Sequence, residues 1–89
     1  MGRYENIVRE LIEPLVENKK ALLINEIDRP EENTTTVLVY GEPNDIAVLI
    51  GRKGSVATAL REVLSIAGKL DNRRVYLKLE SFDDSKKEE

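Results

Sequence analysis

The chain has 89 residues, 40% of them hydrophobic and 35% charged, with a net charge of −3, a size and composition that allow one small folded domain around one core. It has no cysteine and no histidine, which excludes disulfides, thiolate metal sites and histidine-based acid–base chemistry. The charge is uneven: residues 1–45 carry five basic and ten acidic side chains, residues 46–79 seven and two, and residues 80–89 two and five, so the cations an anionic partner would need lie in one stretch.

The first element is a helix over residues 4–16, where Ile7, Val8, Leu11, Ile12, Leu15 and Val16 recur at spacings of three and four. Pro14 falls inside this pattern, removes one backbone donor and crowds the carbonyl of Glu10, which predicts a kink or early loosening before an end near Asn18. Residues 22–28 form a short β-prone run, 29–33 a turn, and 34–40 a second run rich in Thr and Val, together an antiparallel hairpin. Gly41 to Asn44 breaks the strand, with Asn44 as the expected N-cap of a short helix over 45–49 and Asp45 suiting its dipole.

Next comes Gly51-Arg52-Lys53-Gly54, then a helix from 55 to about 67 with Val56, Ala59, Leu60, Val63, Leu64 and Ala67 on one face and Gly68 as its stop. Residues 73–80 alternate, with Val75, Leu77 and Leu79 on one side and Tyr76, Lys78 and Glu80 on the other. The order is α-β-β-α-α-β. Two helices between the second and third strands permit a parallel return, so the expected fold is α+β, a three-stranded mixed sheet with helices packed on one face. Residues 1–80 make the single domain and 81–89 a disordered polar tail.

The functional signal is the Gly-x-x-Gly loop between two helices. Gly51 and Gly54 permit a sharp turn and lack the Cβ atoms that would hold a sugar-phosphate chain away, and the following helix start offers free N–H groups to an anion. Arg52 and Lys53 supply charge at the tip, Ser55 a hydroxyl or amide, and Ile50 with Ile46 and Leu49 an apolar shelf for bases. Tyr40 and Tyr76 are expected on the helix-free face of the sheet, where aromatic residues on adjacent strands more often pack together than stack on bases. Arg61 reads as a solvated residue or an intrahelical partner of a carboxylate at least as well as it reads as a contact, and Arg73 and Arg74 read better as soluble surface than as contacts.

With Asp45, Leu49, Ile50, Gly51, Arg52, Gly54 and Arg61 in this arrangement, the chain resembles type II KH domains, specifically the small single-KH RNA-binding proteins of bacteria (the KhpA type). It departs from their usual pattern at Ala47, where Gly is common, and at Val48 and Ser55, where basic residues are common. The resemblance implies a non-enzymatic protein that clamps about four nucleotides of single-stranded RNA, with weak, salt-sensitive binding given the missing cations. Its RNA-binding residues would be Ile50, Gly51, Arg52, Lys53, Gly54 and Ser55.

The resemblance also implies a post-transcriptional regulator or RNA chaperone, associating with itself or with a larger KH protein of the Jag type. Ala57 and Ile66, off the main face of their helix, are the expected dimer surface. Two other readings stand beside this one: a protein–protein docking module with incidental RNA contact, and a ribosome-assembly factor. No cofactor, metal or small-molecule substrate is expected. The longest apolar run, 46–50, is too short for a bilayer and the N-terminal residues are acidic where a secretory leader is basic, so the expected location is cytoplasmic, without a membrane partner.

Overall fold

The computed structural model describes residues 2–82. Helix α1, Arg3–Ile12, gives way to a 3-10 turn at Glu13–Leu15, because Pro14 has no N–H to give the carbonyl of Glu10. Tyr4, Val8 and Ile12, four residues apart, face the core and Val16 follows them, whereas Leu11 and Leu15 stay 40% and 45% exposed. Leu11 faces outward within α1 and Leu15 in the 3-10 turn, while Val16 returns to the core. Gly2 cannot cap α1 with a side chain; instead Glu26, from the first strand, accepts the Glu5 N–H at 2.9 Å, a carboxylate where the helix dipole favours one.

The Tyr4 hydroxyl donates to Asp71 at 2.5 Å, and Arg3 donates to the same carboxylate at 3.0 Å. Burial, reinforced by the hydrogen bond to Asp71, pushes the Tyr4 hydroxyl from its ordinary 10.0 up to about 12. The folded chain therefore keeps this proton over a range where the unfolded chain releases it, so the stability it contributes below pH 10.0 is lost as the pH rises towards 12. Urea unfolding at stepped alkaline pH should show a steeper decline for the native chain than for Tyr4→Phe; parallel declines would show that Tyr4 does not carry the effect.

Strand β1, Leu23–Arg29, pairs antiparallel with β2, Thr34–Gly41, in a register from Leu23↔Tyr40 to Arg29↔Thr34. Between them a 3-10 turn at Pro30–Glu32 ends on Asn33 in the left-handed region, φ 59°. After α2, Pro43–Ile50, and α3, Ser55–Leu70, strand β3, Arg74–Ser81, returns parallel to β2, giving the order β1-β2-β3. The helices cover one face of the sheet. Val8, Ile12, Val37, Val39, Leu49 and Leu64 are fully buried between the layers, the close packing that makes single-residue changes there costly.

Three local expectations change. Asn44 does not cap α2: Pro43 takes the first helical position and Glu42 the cap, since the fixed φ of proline already suits a first turn. Gly68 does not stop α3, which runs on to Leu70. The stop is Asn72, left-handed at φ 58°, with Arg73 N–H bonding Gly68 O at 2.8 Å and Asn72 N–H bonding Lys69 O at 3.3 Å, a Schellman closure with Asn in the usual Gly place. A Cβ on Gly68 would lie 2.5 Å from Arg73 O, so glycine there serves this close approach. At the other end, Ser81 closes β3 and the Phe82 ring stacks on Tyr40 with centroids 6.3 Å apart. The remaining part of the expected tail, 83–89, lies outside the described residues.

Candidate nucleic-acid interface

The loop between α2 and α3 takes its shape from three consecutive demands on the backbone. Gly51, closing α2 through its N–H to Ala47 O at 3.0 Å, sits at φ 79° and ψ 173°, a region essentially confined to glycine. A Cβ there would also stand 2.5 Å from Val56 Cγ2 and 2.7 Å from Val56 N. Lys53 then adopts the left-handed region at φ 56°, and Gly54 follows at φ 78° with its N–H on Gly51 O at 3.1 Å. A Cβ on Gly54 would meet nothing within 4 Å. The two glycines thus answer different needs: Gly51 admits the start of α3, and Gly54 leaves bare main chain facing outward.

Arg52 and Lys53 are exposed at the tip, and among the described residues neither has an ion-pair partner. No side chain caps the start of α3, and Ser55 there is exposed. Beside the loop a groove of about 240 Å³ runs between α2 and the end of β3, with Pro43, Ile46, Ala47 and Ile50 on one wall and Leu79, Glu80 and Ser81 on the other. Of the residues expected to make the shelf, Ile50 is 41% exposed on this groove, whereas Ile46 lines it with only 5% of its surface exposed. Leu49 does not reach the groove and is fully buried in the core. The β3 wall was not foreseen from sequence, since it depends on the parallel register that sets Ser81 beside Gly41.

Asp45 does more than suit a dipole. It is buried, and its two carboxylate oxygens accept the N–H groups of Glu17 and Asn18 at 2.9 and 3.0 Å, fastening the segment after α1 to the first turn of α2. Arg61 donates to Leu77 O at 3.2 Å. Since Arg74 N–H bonds Asn33 O and Phe82 N–H bonds Gly41 O, the even-numbered backbone groups of β3 face β2 and the odd-numbered ones, Leu77 included, turn outward. Arg61 is thus committed to the outer edge of β3. Arg73 ion-pairs with Asp28 and donates to Thr35 Oγ1 at 3.1 Å and Thr34 O at 3.2 Å, a structural role, whereas Arg74 is exposed.

The expected dimer pair does not form one surface. Ala57 is 4% exposed and Ile66 62% exposed, because the buried face of α3 is Ala57, Leu60, Leu64, Ala67 and Gly68, rotated from the stripe that apolar spacing alone picks out. Ala59, Val63, Ile66 and Leu70 are the exposed apolar residues on its outer side.

An α-β-β-α-α-β order, a mixed three-stranded sheet under the helices and a Gly-x-x-Gly loop joining two of them define a type II KH domain. A family model described as "KhpA/KhpB, KH domain" matches residues 5–79, and the chain belongs to that family. It is 30% identical over 79 residues to the RNA-binding protein KhpA of Aquifex aeolicus, covering 89% of this chain and 98% of that one. It is 27% identical to the KhpA proteins of Oceanobacillus iheyensis, over 80% of this chain and 92% of the relative, and of Borreliella burgdorferi, over 88% and 93%.

Proposed function

We propose that this chain is a non-enzymatic protein that binds single-stranded RNA, gripping the sugar-phosphate backbone with the 51–54 loop and receiving bases in the groove between α2 and β3. The observation that carries the reading is the outward-facing main chain at Gly54, flanked by Arg52 and Lys53, which have no ion-pair partner among the described residues, and placed beside an apolar groove. Phosphates meet the cations and the bare backbone, and bases cover Ile50 and the rest of the groove floor. The names of the relatives, RNA-binding proteins, support it.

The salt dependence of binding tests the clamp. On a single strand, every phosphate that a protein ceases to neutralise reduces the slope of log affinity against log salt by about 0.7. Replacing Arg52 and Lys53 together with Ala should flatten the slope for oligouridylate by about 1.4 and weaken binding at low salt. A slope equal to that of the native chain would place the phosphates elsewhere.

A second part of the proposal concerns assembly. The exposed apolar side of α3, with Ile66 62% and Val63 40% exposed, favours self-association or pairing with a larger KH protein of the Jag type, through which the chain would act post-transcriptionally, as a regulator or RNA chaperone. Ile66→Glu should shift the sedimenting species to monomer with an unchanged circular dichroism spectrum. A dimer that persists in this variant would assign the contact to another surface.

A further inference from the structure

We infer that the helix-free face of the sheet is a second contact surface for the same single strand, where bases leaving the groove stack on the exposed aromatic rings of β2 and β3. This rests on the RNA-binding reading above and extends it to a surface that the loop does not touch.

The register lays this face out in rows across the three strands: Leu23, Tyr40 and Glu80; Asn25, Leu38 and Lys78; Ile27, Thr36 and Tyr76; Arg29, Thr34 and Arg74. Tyr40, Tyr76 and Phe82 are 37%, 48% and 46% exposed. Rings held at a sheet surface lose little freedom when a base lies on them, and every base has a face to offer. Tyr40 and Tyr76 do not pack on each other, since Tyr76 stands beside Thr36, four residues from Tyr40 along β2 and roughly 13 Å away along the strand. They make two separate positions over one depression of about 630 Å³, Tyr76 as a single ring and Tyr40 as a ring already stacked on Phe82.

Charge selects the occupant. Among the described residues of the three strands, Arg29, Arg74 and Lys78 share the face with one carboxylate, Glu80. An apolar protein partner would bury those cations without compensation, whereas a nucleic acid brings phosphates to them. Continuity supplies the route. Glu80 lines both the groove beside the loop and the depression on the open face, so the two meet at the end of β3, and a strand lying in the groove reaches the rings by rounding one edge strand.

The tyrosines themselves report the outcome. The chain has three and no tryptophan; Tyr4 is buried, so changes in emission come from Tyr40 and Tyr76. Oligouridylates of about four nucleotides, the length a KH groove holds, and of about twelve are titrated into the native chain and into Tyr76→Ala, with Lys78→Glu as a second variant should Tyr76→Ala lose its circular dichroism spectrum. The longer strand should quench tyrosine emission and bind about tenfold tighter than the shorter. Either variant should lose most of that gain while binding the shorter strand as the native chain does. Equal binding of the longer strand by native and variant chains would overturn this inference and leave the groove reading standing, as would a change in oligomeric state without a change in affinity. Failure of both strands to bind the native chain would overturn the two together.

Discussion

Gly54→Asp should lower affinity for single-stranded RNA tenfold or more and leave the fold in place, while Gly51→Ala should cost much of the fold itself. At Gly54 an added side chain meets open space, and the left-handed backbone at φ 78° charges a residue such as Asp about 1 kcal/mol. What changes is the outer surface: a carboxylate then stands where the phosphates would lie, beside the two cations meant for them. A tenfold loss corresponds to about 1.4 kcal/mol, modest for placing an anion in that position. At Gly51 the conformation is closed to other residues at about 1–3 kcal/mol, and the added carbon presses on the backbone nitrogen of Val56, adding about 1–3 kcal/mol of overpacking. In a small domain with about 5–15 kcal/mol in hand, that is a visible fall in the urea midpoint. Changing both glycines together would confuse the two effects. The informative pair is Gly54→Asp for binding, by fluorescence anisotropy, and Gly51→Ala for stability; undiminished RNA affinity in a folded Gly54→Asp protein would remove the loop from the interface.

Asp45→Ala should destabilise the chain by about 3 kcal/mol, the other large effect. The side chain is 5% exposed, and both oxygens are occupied by main-chain N–H groups of the segment that leads from α1 to β1. Removing it leaves two part-buried main-chain donors without their acceptor and frees the first turn of α2. Asp45→Asn keeps the size and one acceptor, so it should fall between the two. Since α2 is also a wall of the groove, the alanine variant should bind RNA less well even at temperatures where it remains folded. An unfolding curve that overlays the native one would mean that the two N–H groups find other partners at no cost.

The sheet was legible in the sequence because its burial follows strict alternation: Thr35, Val37 and Val39 face inward on β2, Leu77 on β3, and every second residue turns away. The loop was legible because two glycines around two cations between helical patterns leave few other uses. Less could be read where distant parts of the chain decide the matter. Asp45 looked like a first-turn residue, and nothing local revealed that Glu17 and Asn18 would come to it. Tyr4 finds Asp71 across 67 positions of sequence. On α3, Leu60, Leu64 and Ala67 are buried as their spacing predicts, while Ala59 and Val63 are exposed and Ala57 and Gly68 buried, a rotation of the face that is set by packing on the sheet and not by the helix's own pattern. The β3 wall of the groove, Leu79 to Ser81, follows from register, which no single segment encodes.

The contact between Arg61 and the outward carbonyl of Leu77 has a bearing on crowded solution. An exposed strand margin is an invitation for a stranger's backbone to zip alongside and grow a ribbon. A guanidinium occupying one rung of that ladder interrupts the run halfway along, so chains that meet at this margin of β3 find no continuous template there.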